Sequence, residues 1–222
     1  MVKNIDSYMY DVKKRNCCIL TIILMSAVVF NSCVDTINST DLVWQPYLIN
    51  DKVVFQSNCN QIEVYTISNI EIFTNPNDHL AIITRFNQIL FVEIQNINNN
   101  HIKTLLSLKK YNKKLYVDLC FRPGDFTRYT PTYIVGVYLD KVIFNGISVY
   151  KIYASDFFSN DYKSENINDL DYILWSDMFG YIGLFYKNSN YWLLTDFVRN
   201  NQSIYQCDIN LFNTSSQMIK LT

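Results

Sequence analysis

The sequence predicts a mainly β protein: an antiparallel sheet forming a sandwich or a partly open barrel, with at most one or two short helices. Three observations carry this expectation. The chain of 222 residues uses 17 Tyr and 14 Phe, residues that suit pleated, half-buried surfaces. From Lys52 onward, apolar residues come in short or alternating runs divided by polar punctuation, as in antiparallel strands. Gly and Pro are scarce, at 5 and 4, whereas Asn occurs 26 times. Asn tolerates left-handed backbone angles and bonds to its own chain, so it is the residue expected to make the turns. The length suffices for one full core. An apolar fraction of 49% and a formal charge of −1 exclude a disordered chain and a strongly nucleic-acid-seeking one.

The N-terminal stretch reads as a leader. Lys13, Lys14 and Arg15 precede fourteen uncharged residues, Cys17 to Phe30, CCILTIILMSAVVF. As a helix these span ~21 Å, short of the ~30 Å hydrocarbon core of a bilayer. Basic residues, a short apolar run and then small polar residues are the three parts of a secretory signal peptide, with cleavage expected near Ser32. Met9 offers an alternative start, since MYDVKKRN is itself an ordinary basic segment.

The run ends in Phe30-Asn31-Ser32-Cys33, which resembles the lipobox of bacterial lipoproteins. Ser32 fits that pattern, and Phe30 in place of the usual Leu is similar to lipoproteins of Bacteroides-type bacteria. The resemblance implies a diacylglycerol thioether on Cys33, cleavage immediately before it, and a membrane held through acyl chains. It also implies a cell-envelope location in the outer membrane, facing the periplasm or the surface. An uncleaved signal anchor and ordinary cleavage are the alternatives. Only Asp35 is acidic close behind Cys33, so the acidic stretch that accompanies surface export in this group is not evident, which favours the periplasmic face.

Loss of residues 1–32 removes Lys3, Lys13, Lys14, Arg15, Asp6 and Asp11. From 19 basic and 20 acidic residues this leaves 15 and 18, a formal charge of −3. Nothing in that balance follows a phosphate backbone, so no nucleic-acid partner is expected. Besides Cys33 the mature chain keeps Cys59, Cys120 and Cys207. One disulfide with one thiol and three thiols are both compatible with an odd count.

After the cut, the polar residues 33–46 read as a tether that lifts one β-rich domain, residues 47–222, off the lipid. Asp35-Thr36-Ile37 is similar to the short O-glycosylation signal of the same bacteria. The sequons at Asn38, Asn201 and Asn213 occur about as often as chance gives in so Asn-rich a chain, and carry no meaning in a bacterial leader context.

Strands are expected at KVVFQ, QIEVYTI, SNIEIF, HLAIIT, ILFVEI and KLYVDLCF, with RFNQ a four-residue hairpin connection and Arg122 to Asp125, RPGD, a turn. HIKTLLSLKKY spaces Ile102, Leu105, Leu106 and Leu108 as a short helix does. Asn145-Gly146 between KVIF and ISVYKIY is the clearest hairpin signal, because both residues accept the positive φ of a type I′ turn. YIGLFY and YWLL form a last hairpin through KNSN. Gly146, Tyr150, Ser176, Gly180, Gly183, Trp192 and Leu194 occupy a pattern that resembles one in many Bacteroides-type lipoproteins. That resemblance implies a shared β domain and brings no chemistry.

The chain lacks Gly-x-Ser-x-Gly, His-Glu-x-x-His and Cys-x-x-Cys, so hydrolase, zinc and redox motifs have no foothold. His79 and His101 sit in Asn-rich stretches and read as surface residues. Cys120, between Leu119 and Phe121, reads as core. Glu165, Asp169 and Asp171 supply oxygen ligands for a calcium loop, but the bending Gly is missing and a solvated loop is the simpler reading. Trp44, Trp175 and Trp192 are candidates for a carbohydrate-stacking platform, and for each the core is favoured. No catalytic residue, cofactor or metal site is assigned. The functional expectation is a non-enzymatic binding or structural module with an envelope protein, glycan or lipid partner. A lipid carrier comes second and a glycan-acting enzyme with two paired carboxylates third.

Overall fold

The computed structural model describes residues 34–76, 86–123, 132–134, 139–156 and 169–210. Its strands are β1 (Val34–Asp35), β2 (Lys52–Ser57), β3 (Ile62–Pro76), β4 (Phe86–Asn96), β5 (Ile102–Tyr111), β6 (Lys114–Leu119) and β7 (Thr132–Ile134). They continue with β8 (Asp140–Phe144), β9 (Ile147–Tyr153), β10 (Leu170–Ser176), β11 (Gly180–Tyr186), β12 (Tyr191–Arg199) and β13 (Gln202–Gln206). Short 3-10 turns at Asp41–Trp44 and Ala154–Asp156 are the only helical elements longer than two residues among them. The mainly β expectation is met.

All thirteen strands belong to one sheet that does not close on itself. Its path runs β7-β6-β5-β4-β3-β2-β12-β11-β10-β9-β8. Two up-and-down meanders, β2 to β7 and β8 to β12, are therefore joined by a β2–β12 ladder. Its register pairs Phe55 with Leu194 and Val53 with Phe197. β13 flanks β12 beyond the end of β11. β1 runs parallel to the start of β4, pairing Val34 with Phe86 and Asp35 with Asn87.

The sheet curls tightly, and its interior is aromatic. Phe121, just past β6, lies 4.9 Å from the ring of Phe55 on β2, 5.2 Å from Tyr65 on β3 and 5.5 Å from Tyr181 on β11. β6 and β11 are six places apart along the path, which in a flat sheet means about 29 Å at ~4.8 Å per strand. Only a sheet rolled towards a barrel brings these rings together. The Tyr181 hydroxyl also accepts the Phe121 N–H at 3.3 Å. Inward residues alternate as expected on β2 (Val53, Phe55, Ser57) and β6 (Leu115, Val117, Leu119), while β11 is buried along its whole length.

Asparagine makes the turns. Of nine non-glycine residues with positive φ among those described, seven are Asn. Three two-residue hairpins, Asn112-Lys113, Asn145-Gly146 and Asn200-Asn201, have both residues at positive φ, the requirement of a type I′ turn that matches strand twist. The hairpin read at Asn145-Gly146 and the one joining β11 to β12 both form.

Four local expectations are corrected. The segment read as a short helix is β5, and its helical spacing comes from a bulge. Val92 pairs with Leu106 and Glu93 with Thr104, so Leu105 is an extra residue and two successive leucines are buried. QIEVYTI and SNIEIF are one strand, β3, with Ser68 bulged between Ile67 and Asn69 where a break was expected. RFNQ is not a turn, because Phe86, Asn87 and Gln88 already pair with β3; HLAIIT lies outside the described residues. Finally, residues 34–46 are not a tether. β1 pairs with β4, and Trp44 and Tyr47 are buried in the core.

Gly180 marks the tightest contact. It has φ +72°, and a Cβ there would stand 1.8 Å from the Tyr47 hydroxyl oxygen. Gly146 has a similar φ of +78° but nothing within 4 Å of such a Cβ. Gly146→Ala is expected to cost only the backbone share, about 1 kcal/mol. Gly180→Ala must also displace a buried Tyr, and is expected to cost at least about 3 kcal/mol. Urea unfolding of both variants checks the difference, and equal losses would remove the Tyr47 contact from the account.

Candidate functional site

The part of the fold that meets the predicted lipidation site is the N-terminal cap, residues 34–51. Cys33 itself lies outside the described residues; the chain is described from Val34, which already sits in β1. Asp35 follows, and its carboxylate accepts the backbone N–H groups of Asn112 (2.7 Å) and Lys113 (3.2 Å). That satisfies the donors of the β5–β6 turn, whose residues are both left-handed. Ile37 N–H then donates to Gln88 Oε1 at 2.9 Å. The entry of the chain is thus fixed to β4 and to the β5–β6 hairpin.

The next residues cross the end of the curled sheet. Asn38 Oδ1 accepts the N–H groups of Thr40 and Asp41, and Asp41 Oδ2 accepts that of Asn38; such reciprocal side-chain bonds stabilise a tight turn. Buried Asp41 receives Lys110 Nζ on both oxygens, at 2.7 and 2.9 Å. Trp44 stacks on Tyr150 and Trp175, with centroids 5.8 and 6.1 Å away. Tyr47 stacks on Phe197 at 6.2 Å, and its hydroxyl accepts the Tyr181 N–H at 3.0 Å. Burial pushes the Tyr47 phenol far above its ordinary value, so it stays neutral in that bond. Residues 41–47 therefore reach from β5 to β9, β10, β11 and β12 and plug one end of the sheet.

An ion pair between a buried carboxylate and a half-buried guanidinium closes the cap. Asp51, 1% exposed, holds Arg199 through two bonds, Nε to Oδ1 at 2.9 Å and Nη2 to Oδ2 at 2.6 Å. Arg199 Nη2 also donates to Pro46 O at 2.7 Å, and Asp51 Oδ2 accepts the Leu48 N–H at 2.7 Å. The planar fork of the guanidinium meets the carboxylate with two separate nitrogens and still reaches the carbonyl, a geometry the single nitrogen of a lysine does not reproduce.

The other candidates are dispersed or structural. Trp44, Trp175 and Trp192 are all buried, so none offers a face for a sugar ring. Trp175 instead meets Tyr181 edge-on at 5.0 Å. His101 is exposed beside the β4–β5 turn, and His79 lies outside the described residues. Asp169 and Asp171 are exposed, and Glu165 lies outside them. No group of three His, Cys, Asp or Glu placed to hold a metal exists among the described residues. Thr36 is exposed.

Cys59, Cys120 and Cys207 are all free thiols. Burial, with the Asp118 charge adding to it, pushes the Cys120 thiol far up, the reverse of what a nucleophile needs. Several carboxylates have structural partners: Glu63 binds Asn96, Glu93 binds Asn69, Asp118 binds Ser107 and Asp196 binds Ser203. No helix among the described residues is long and apolar enough to cross a membrane. No protein-family model matches the chain, and no curated protein or solved structure is significantly similar to it.

The cap was missed in the sequence because its apolar stretch, Leu42 to Ile49, is short, is broken by Gln45 and Pro46, and follows neither a helical nor a strand period. Its available signal was Trp44 and Tyr47 themselves, large aromatics that a solvated tether has no use for. Two measurements check this description. Arg199→Met leaves Asp51 buried without its cation and is expected to cost about 3 kcal/mol in urea unfolding. In native protein at pH 8, iodoacetamide is expected to alkylate exposed Cys59 rapidly and half-buried Cys120, whose thiol is held protonated, far more slowly. Equal rates at the two thiols would contradict the raised pKa of Cys120.

Proposed function

We propose that this chain is a lipoprotein of the bacterial cell envelope, held on a membrane by acyl chains on Cys33. Its β domain acts as a non-enzymatic binding or structural module. The observation that carries the reading is the constellation of Lys13 to Arg15, the apolar run Cys17 to Phe30, and Ser32-Cys33. Cleavage before Cys33 leaves a mature chain whose second residue already belongs to β1. Two or three acyl chains suffice for stable attachment where one does not. The outer membrane is the proposed site.

A binding or structural role is favoured over a lipid carrier by the interior. A carrier needs an apolar volume large enough for an acyl chain, whereas here Phe55, Tyr65, Phe121 and Tyr181 meet ring to ring between 4.9 and 6.5 Å. It is favoured over an enzyme by the structural duties of Asp41, Asp51 and Asp118.

Metabolic labelling with an alkyne fatty acid, comparing wild type with Cys33→Ala, tests the anchor. Label on the wild type alone, with an intact mass beginning at residue 33, is the expected result. An unlabelled protein with its leader still attached would make residues 17–30 a membrane anchor and end the lipoprotein reading.

A further inference from the structure

The absence of slack between Cys33 and the sheet has a geometric consequence. A flexible tether of a dozen residues would let the domain point any way relative to a membrane. Instead Val34 pairs with Phe86 and Asp35 with Asn87, and Cys33 is one peptide unit, ~3.8 Å, from Val34. Whatever is attached at Cys33 is held beside one end of the sheet, where β3 finishes, β4 starts and β5 turns into β6. The opposite end holds the turns after β2, β4 and β11, where Asn58 Nδ2 bonds to Ser189 O at 3.2 Å. Along β3 the two ends are about 45 Å apart at ~3.3 Å per residue.

The surface at the near end is suited to a lipid headgroup layer. Leu42 and Val43, on the turn that carries the plug, are 40% and 49% exposed, and Met178 beside Gly180 is 64% exposed. Lys113 and Lys114, at the hairpin that Asp35 caps, are exposed. Of the two acids that follow the anchor, Asp41 is offset by the Lys110 ammonium, while Asp35 keeps its charge, held by two backbone N–H groups beside Lys113 and Lys114, so the two exposed lysines outnumber the one carboxylate left without a cation. In a mature chain of formal charge −3, this corner pairs exposed apolar side chains with exposed lysines, the combination that binds anionic interfaces.

We propose that the capped end of the sheet lies against an anionic membrane surface, with Leu42 and Val43 in the headgroup region and Lys113 and Lys114 on anionic headgroups. The far end, with Cys59, points away from the bilayer. The inference rests on acylation of Cys33.

The test uses the full mature lipoprotein, extracted and reconstituted into vesicles of phosphatidylethanolamine and phosphatidylglycerol that carry a headgroup nitroxide. A thiol-reactive fluorophore is placed on native Cys59 in one sample and on Val43→Cys in a Cys59→Ser background in the other. The Cys59→Ser chain alone gives the contribution of half-buried Cys120 and Cys207. Intact mass reports acylation in every sample. At least threefold stronger quenching at position 43 than at position 59 is expected. The double variant Lys113→Glu/Lys114→Glu is expected to lower quenching at position 43 by half or more in these vesicles and to leave it unchanged in phosphatidylcholine vesicles. An acylated protein with equal quenching at 43 and 59, or stronger quenching at 59, overturns the orientation and leaves the anchor standing. Unchanged quenching in the double variant overturns the role of the lysines. A protein without acyl chains overturns both this inference and the function on which it rests.

Discussion

The ladder between β2 and β12 is the joint on which the rest of the structure depends. Every other neighbour pair on the sheet's path is consecutive in sequence, so two meanders would form without it and neither would enclose a core. The ladder is held by inward residues Val53, Phe55, Leu194 and Phe197, all at most 1% exposed. Thr195, the bulged residue within it, adds its hydroxyl to Val54 O at 3.3 Å and offers its carbonyl to Cys207 N–H at 3.0 Å. At the end of the ladder, Asp51 and Arg199 join positions 148 residues apart. Pairings this distant in sequence form late, since their loop entropy must be met before their contacts stabilise anything.

Curling the sheet creates a second requirement, a filling for its end, and the N-terminal segment supplies it. Trp44 and Tyr47 lie between rings contributed by β9, β10 and β12. The fit works because Gly180 lacks a Cβ where the Tyr47 hydroxyl sits, and because the Tyr181 N–H is then satisfied in a buried site. An amide left unbonded there would cost about 1–3 kcal/mol. The plug and the β2–β12 joint are physically linked, since Arg199 bonds both to Asp51 before β2 and to Pro46 O within the plug.

Elements with one dominant local cause were legible in the sequence. Asn145-Gly146 could only be a turn, and the abundance of Asn beside few Gly foretold the seven left-handed asparagines. Alternation located β2 and β6. Legibility failed where a bulge shifted the period, as at Leu105 in β5 and Ser68 in β3, because two buried neighbours imitate a helix and an extra polar residue imitates a break. It failed again at residues 34–47, whose order comes from long-range partners such as Lys110, Trp175 and Tyr181 that no local window contains. For the proposed anchor, Cys33 stands out only through the leader pattern around it, while the pairing of the next two residues, Val34 and Asp35, with β4 has no local signal.

The packed interior also bears on the binding role proposed above. The rings of Phe55, Tyr65, Phe121, Trp175 and Tyr181 are nearly closed to solvent, and emptying even one such site costs several kcal/mol, a large share of the stability of a domain this size. Opening the curled sheet to admit a guest would forfeit several of these contacts at once, together with the Tyr47 and Phe121 hydrogen bonds to β11. For the binding role proposed above, that assigns specificity to the outward side chains and turns. Seven left-handed asparagines shape the turns and loops between the strands, so for the proposed binding role the surface they form leaves little ordering to be done on association.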